Sequence, residues 1–429
     1  MKVLVVHNRY RSSSPSGEDR VVDDEHAALA GAGHDVVRFE RASDDIASWP
    51  AHRKVLLPLR VIWNGAAVVD LDDALAGVRP DVVHVHNVFP LLSPAILRSC
   101  DRMRVPCVVT LHNYQLLCPS GLLHRTGAAC NDCVERRVPV PAVRHGCYRG
   151  SPVASVPVAA SVAVHRRAWQ RIPSAYLFLS EAQRRALEPL GLPAWRSFVK
   201  PNLVRAPAGA RVPEDLVVYL GRLAEVKGLR VLMRAWDRVA ASPVGGHVRL
   251  AIAGAGPMDA EVRTWAAAHP TVELHGLLDR EGCDRLLQRA VAVVVPSEWQ
   301  EPFGLVVAEA MAAGVPPVAT AHGAFPELVT DEVDGLLSPP GDAAALAAQL
   351  GRLVEDSDLA RRLGAAARQT YARRFTPAVV VKEIEAAYRF AVANPRWADH
   401  GAPPGQPAGA AHQPAGAAYQ AAGAVISQP

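Results

Sequence analysis

Short β-branched and apolar runs alternate with helical stretches along most of this chain. In the first half, residues 2–6, 35–39, 82–85, 107–111, 175–179 and 197–200 are predicted strands. Residues 21–32 are a predicted helix that stops at Gly33. The alternation restarts after a stretch rich in Pro, Ala and Gly at 206–213, which has the composition of a linker. Further strands follow at 216–220, 248–253, 272–274, 291–295 and 317–319. Short apolar strands separated by helices predict parallel sheets covered on both faces, and two such units place a cleft between their strand ends. A last helix is expected over 375–394.

One strand–loop–helix unit concentrates chemistry. The run 291–295 ends at Pro296, a loop carries Glu298 and Glu301, and a helix is predicted from Phe303 to Ala313. Pro302 opens that helix, and Gly314 with Pro316 behind it closes it. The loop falls at the carboxyl edge of a parallel sheet, where unpaired helix amides attract anions. Glu301 and Glu309 are eight residues apart, which does not stack them on one continuous helix. With Glu301 in the loop and Glu309 on the helix, both can face one cleft and accept from neighbouring sugar hydroxyls.

The segment from Glu301 to Glu309 resembles the E-x7-E motif of retaining glycosyltransferases of family 4. Gly323 to Asp342 and G-R-L-A-E-V-K-G, Gly221 to Gly228, are also similar to that family. The resemblance covers the chain to about residue 394. It implies an α/β GT-B fold, in which two Rossmann-like parallel-sheet domains face each other across a cleft. The expected organisation is an acceptor-side domain over 1–200, a linker over 201–214 and a donor domain over 215–374. A helix over 375–395 would then pack back on the first domain.

As the resemblance implies, the donor is a UDP- or GDP-linked nucleotide sugar, and the transfer is of hexosyl type with retention. Glu309 would hold ribose hydroxyls and Glu301 sugar hydroxyls, with Phe303 and Gly304 amides near the sugar. Arg222 and Lys227 would hold the diphosphate, whose charge grows as the glycosidic bond breaks. Arg offers a planar fork to phosphate oxygens and Lys a compact charge. No divalent metal is expected to be required, because those cations and helix amides serve instead. His112, in V-V-T-L-H-N, matches the position from which a first-domain histidine reaches the transferred sugar. His7, His84 and His86 are left as structural or acceptor-side. Gly17, in Ser16-Gly17-Glu18, matches the family's glycine loop, with Ser16 standing where a first glycine is common.

Other features have plainer roles. Gly254-Ala255-Gly256 is part of a dinucleotide fingerprint, but Asp259 replaces the third glycine, which favours a tight strand-to-helix turn. The acidic runs at Asp44-Asp45 and at Asp70, Asp72 and Asp73 precede helical stretches and are expected to be structural. Four of the seven cysteines, Cys118, Cys130, Cys133 and Cys147, fall in a stretch of little periodicity between 113 and 150. A structural Zn²⁺ on these four thiolates, or four reduced thiols, fits the spacing, and disulfides fit it less.

Composition narrows the partners. A net charge of +4 without a basic run argues against nucleic acid. The chain opens directly into a strand with no secretory signal, and the apolar stretch 153–164 is too short to span a bilayer. A cytoplasmic protein with at most peripheral membrane contact is expected, acting on a hydroxyl acceptor in bacterial polysaccharide, glycolipid or glycoconjugate synthesis. The alternatives are a GT-B epimerase of nucleotide sugars and a non-catalytic nucleotide-sugar-binding subunit. Of the last 29 residues, 24 are Ala, Gly, Pro or Gln in a seven-residue repeat, which predicts a disordered tail over 396–429.

Overall fold

Two runs of parallel strands account for the core. In the computed structural model, which describes residues 1–12, 16–242 and 246–397, the first six strands form one sheet. They are β1 (Lys2–Arg9), β2 (Asp35–Ala42), β3 (Val82–Val85), β4 (Cys107–Leu111), β5 (Ala175–Phe178) and β6 (Ser197–Val199). Their spatial order is β2-β1-β3-β4-β5-β6, all parallel. The second sheet holds β7 (Leu216–Leu220), β8 (Arg249–Ala253), β9 (Val272–Gly276), β10 (Ala292–Val295), β11 (Pro317–Thr320) and β12 (Leu336–Ser338). Its order is β9-β8-β7-β10-β11-β12, again parallel. Strands β3, β4, β5 and β7 are buried along their whole length, because helices cover both faces.

Each order reverses once, beside β1 in the first sheet and beside β7 in the second. At such a switch point the two adjacent loops leave in opposite directions and open a crevice at the carboxyl edge. In the second sheet the crevice lies between the loops after β7 and β10, which carry Arg222, Lys227 and Glu301.

Four helices position the site: α1 (Gly17–Gly31), α2 (Pro152–Arg171), α3 (Leu305–Ala313) and α4 (Pro377–Ala393). Helix α1 begins four residues earlier than expected because Ser16 caps it, its hydroxyl accepting from the Glu18 amide at 3.2 Å. Helix α3 begins at Leu305, not Phe303. Gly304 sits at φ 106, where a side chain would collide with the Phe325 ring, so the helix cannot extend back through it. Helix α4 buries Val380, Val381, Ile384, Ala387 and Tyr388 in one cluster with Val3, Val5, Val82, Val108 and Leu177 of the first sheet. Each large apolar side chain there contributes roughly 1.5–3 kcal/mol.

The helices at 45–48, 51–55, 57–62 and 65–78 are additional to the elements predicted from sequence. Asp70, Asp72 and Asp73 lie inside the last of these and do not precede it. Asp70 pairs with Arg41 and Asp72 with Arg102, and Asp44 accepts from the Ser12 amide. Residues 206–213 carry no regular structure, and the predicted tail falls outside the described residues after 397. Among the described residues no helix is long and apolar enough to cross a membrane.

Candidate active site

The loops at the second crevice touch backbone to backbone. A Cβ on Gly254 would lie 1.8 Å from the Gly221 carbonyl oxygen, and one on Gly256 2.3 Å from that of Leu223. One on Gly228 would lie 1.8 Å from the Pro296 oxygen. The G-x-G turn after β8 therefore exists to press against the loop of Arg222. This supports the turn reading of 254–256 with a physical cause that the sequence alone does not supply.

This packing brings Lys227 to Glu301. The Lys227 Nζ is 2.6 Å from Glu301 Oε1, and the Ser297 hydroxyl donates to the same oxygen at 2.8 Å. The ammonium also stands 5.4 Å from the Trp299 ring centroid, within cation–π range. Glu301 is only 7 % exposed, so these two donors offset the cost of burying it. Gly323 leaves no room for a side chain against the Glu301 backbone, and the Ala324 amide donates to the Glu301 carbonyl at 3.0 Å. Arg222 is exposed at the rim, and its guanidinium has no ion-pair partner among the described residues. Phe303 is buried with its ring edge-on to Phe375.

Glu309 belongs to a separate group. Its carboxylate pairs with Arg20 of α1, across the two domains, and shares no partner with Glu301. Burial holds the Glu309 carboxyl above its ordinary value, against the nearby Arg20 and Arg280. Arg280 in turn binds Asp24 of α1 through both carboxylate oxygens. Gly17 sits at the same junction, where a Cβ would stand 3.4 Å from Leu305. Next to it, Glu18 accepts from the Tyr10 hydroxyl at 3.0 Å, and burial pushes its carboxyl up to about 7.

His112, after β4, is part of a histidine chain in the first domain. Its Nε2 is 2.9 Å from His86 Nδ1, and the rings stack at 5.2 Å. His86 lies 4.1 Å from the His84 ring, and His84 is bonded to the Tyr388 hydroxyl of α4 and to Thr110. Burial, reinforced by the cationic Lys200, pushes His112 well below its ordinary pKa; burial also holds His86 low and His84 down to about 3. Lys200 itself forms a buried ion pair with Glu25. His112 is therefore a neutral imidazole at physiological pH, suited to hydrogen bonding and not to acting as a cation.

The four clustered cysteines are all free; Cys118 and Cys133 are buried, and Cys130 and Cys147 partly exposed. A Zn(Cys)₄ centre needs sulfurs about 3.8 Å apart, given Zn–S bonds of about 2.3 Å. Among the described residues, the set whose ligand atoms gather within 4.8 Å is Glu25, His84 and His86, not the cysteines. Burial, and then the nearby thiols of the four, raise the pKa of Cys133 and Cys147, and Lys200 already neutralises Glu25 in the set that does gather. The cysteine segment does border a cavity of about 580 Å³, lined by Leu123, Asn131, Asp132, Val134, Glu135 and Gln300 among others.

Four side chains that hold this site were not singled out from sequence: Ser297, Trp299, Arg20 and Tyr114. Trp299 joins the first-domain core cluster and packs edge-on to Tyr114 at 6.3 Å. Ser297 and Trp299 lie in the same loop as Glu301, so a loop-wide search for donors would have found them. Arg20 meets Glu309 across 289 residues of sequence, and no local signal reports that.

Two family profiles match most of this chain, Glycosyltransferase Family 4 over residues 15–206 and Glycosyl transferases group 1 over 203–370. Among curated proteins, the chain is 30% identical over 387 residues to a glycogen synthase of Mycobacterium tuberculosis, covering 86% of this chain and 90% of that one. It is 35% identical over 185 residues to a D-inositol 3-phosphate glycosyltransferase of Xylanimonas cellulosilytica, about 40% of this chain and 41% of the relative. Solved structures of similar fold include Anabaena HepE in complex with UDP, with a TM-score of 0.63 at 19% identity over 91% of this chain and 100% of that one. Sucrose-phosphate synthase from Thermosynechococcus elongatus superposes with a TM-score of 0.66 at 20% identity over 92% and 99%. The chain is a GT-B glycosyltransferase and belongs to the family 4, group 1 glycosyltransferases.

Proposed function

We propose that this enzyme transfers a hexosyl group from a nucleotide sugar to a hydroxyl acceptor with retention of anomeric configuration. The observation that carries the reading is the Lys227–Glu301 contact at the switch point of the second sheet, beside Arg222, which has no ion-pair partner among the described residues. A cation and a carboxylate fixed together can serve the two ends of a glycosyl diphosphate. Lys227 and Arg222 stabilise the departing diphosphate, and Glu301 accepts from sugar hydroxyls. The amides of Phe303 and Gly304, at the start of α3, add donors where charge develops. Glu309 holds the ribose once Arg20 yields one of its oxygens.

The donor's nucleotide is UDP or GDP in this reading. UDP has support from HepE, which was solved with UDP and with UDP-glucose. In the reaction the acceptor oxygen bonds to the anomeric carbon as the carbon–oxygen bond to the diphosphate breaks. The acceptor proton passes to the departing phosphate oxygen. Neutral His112 hydrogen-bonds the transferred sugar from the first domain, and the cavity beside Gln300 receives the acceptor. The chemistry needs no divalent ion, since the protein supplies the cations. Gly17 gives the diphosphate side of the cleft a close backbone approach.

The test is direct. Purified enzyme is screened for thermal stabilisation by UDP- and GDP-sugars, and the stabilising donor is then assayed with and without acceptors. Transfer with retained configuration is expected. An epimerised nucleotide sugar formed without acceptor overturns the transferase reading, as does binding with no turnover across a broad acceptor panel.

A further inference from the structure

The charge of this molecule is unevenly distributed, and one face of the first domain collects the excess. Between residues 46 and 69 the chain carries Arg53, Lys54 and Arg60 and no carboxylate. Between 136 and 180 it carries seven arginines and again no carboxylate. None of these ten cations forms an ion pair among the described residues, whereas arginines elsewhere are commonly paired, as Arg9, Arg249 and Arg352 are. A protein of net charge +4 thus holds a block of uncompensated positive charge in two segments far apart in sequence.

The fold joins these two segments. The helix at 57–62 packs against α2, which in turn packs against the helix at 140–144. The Trp63 ring stacks on His165 of α2 at 5.6 Å, and His165 Nε2 bonds the Ile62 carbonyl at 2.7 Å. Their outer sides are apolar. On α2, Val153, Val156 and Val164 are exposed at helical spacing, with Arg167 and Arg171 continuing the same line. On the neighbouring short helices, Val55, Leu59 and Trp63 are exposed four residues apart, flanked by Arg53, Lys54 and Arg60. Val153 is 82% exposed, Val55 75% and Leu59 63%, values that a monomer's core logic does not explain.

We propose that this face docks the enzyme on an anionic lipid bilayer, lying in the interface without crossing it. Apolar residues at helical spacing with arginines and lysines at the margins suit the boundary between headgroups and acyl chains. That neither segment contributes a carboxylate matters as much, since an acid among these side chains would be repelled by anionic headgroups. Nucleic acid would use the cations but has no use for a line of exposed valines and leucine. The proposal rests on no particular donor or acceptor, so it stands or falls apart from the transfer reaction.

The test is vesicle co-sedimentation of the full-length protein. Vesicles of neutral phosphatidylcholine are compared with vesicles containing about one third phosphatidylglycerol, at low and high salt. Binding to the anionic vesicles only, weakened severalfold by salt, is expected. Leu59→Glu combined with Val156→Glu should lower partitioning at least tenfold while leaving the thermal midpoint and transfer to a soluble acceptor unchanged. Arg166→Ala with Arg167→Ala should lower it severalfold and reduce the salt dependence. Equal binding of wild type and both variants overturns the proposal, and so does equal binding to neutral and anionic vesicles. Binding to heparin that the Leu59→Glu, Val156→Glu variant loses equally would make the face a general polyanion site and also overturn it.

Discussion

The loops around Lys227 and the segment after His112 both line the central cleft, and they are built by opposite means. The second-domain loops are held by glycines whose missing side chains let one backbone rest on another, at Gly254 against Gly221 and Gly228 against Pro296. The first-domain segment uses a short hairpin, His124–Arg125 with Ala128–Ala129, and places Leu123, Thr126 and Arg149 at positive φ, where each non-glycine residue costs about 1–2 kcal/mol. It also carries exposed polar residues at its cavity, Asn131, Asp132 and Glu135. A diphosphate has the same shape whatever sugar it carries, so rigid backbone contacts suit the loops proposed to hold the donor. An acceptor varies in shape, and a side-chain-lined loop suits that.

The largest expected effect follows from this contrast. Gly254→Ala must push its methyl into a backbone oxygen that cannot turn away, so the variant should lose several kcal/mol of stability or fail to accumulate. Gly127→Ala, at φ +77 but with nothing within 4 Å of its Cβ, should cost only about 1 kcal/mol. Urea midpoints of the two variants measure the difference. Equal losses would mean that backbone packing does not distinguish the two sides.

Next in size are the charged residues of the second-domain loops. Lys227→Ala and Glu301→Gln should each lower kcat about 10²–10³-fold, the range for losing one preorganised donor or acceptor. Stability should change by less, since Ser297 and Trp299 remain to pack the loop. Glu301→Gln at near wild-type kcat would remove Glu301 from the sugar-binding role.

These residues divide by how they could be read from sequence. The strands preceding Lys227 and Glu301 follow from continuous apolar runs ending at a glycine or proline, which is a local signal, while the two residues themselves are marked out by the resemblance of their motifs to the family. The second acid is different. Its contact with Arg20 is a pairing between a helix of each domain, and it separates Glu309 from Glu301 although one motif contains both. The neutral state of His112 was likewise invisible, because it results from burial beside Lys200, itself buried only once the fold forms. Helix boundaries slipped where a cap or a clash decides them, at Ser16 and Gly304.

A smaller effect is expected with pH, and it tests the first domain's buried groups. Glu18 titrates at about 7 in the folded enzyme, above the ordinary carboxyl range it has when unfolded. Between those values the folded state holds a proton that the unfolded state has lost, so stability falls as pH rises towards 7 and is flat above it. Glu18→Gln lacks this loss, and its thermal midpoint relative to wild type should climb from pH 5 to 7. The histidines act in the opposite sense. His84, His86 and His112 stay neutral when folded, so stability is lost as pH falls below about 6.5, where the unfolded chain takes up protons first. Melting curves from pH 4 to 8 separate the two trends, and a Glu18→Gln difference that does not vary with pH would place that carboxyl in solvent.

The smallest expected effect concerns the cysteine segment, and it decides how that side of the cleft is held. As placed, the four sulfurs do not gather into a metal's coordination sphere, and burial pushes the Cys133 thiol up to about 11 and raises that of Cys147. Such thiols are poor nucleophiles and poor metal ligands until deprotonated. In the native enzyme, Cys130, Cys147 and Cys283 are partly exposed, while Cys100, Cys107, Cys118 and Cys133 are buried. A thiol reagent should therefore modify three groups quickly and the other four only on unfolding, and a chelator should leave both the count and the melting temperature unchanged. Protein purified without a histidine tag should carry little zinc. One equivalent of zinc, with Cys130 and Cys147 protected until it is chelated, would instead show that the loop closes around an ion. The segment after His112 would then be as firmly pinned as the glycine-packed loops around Lys227.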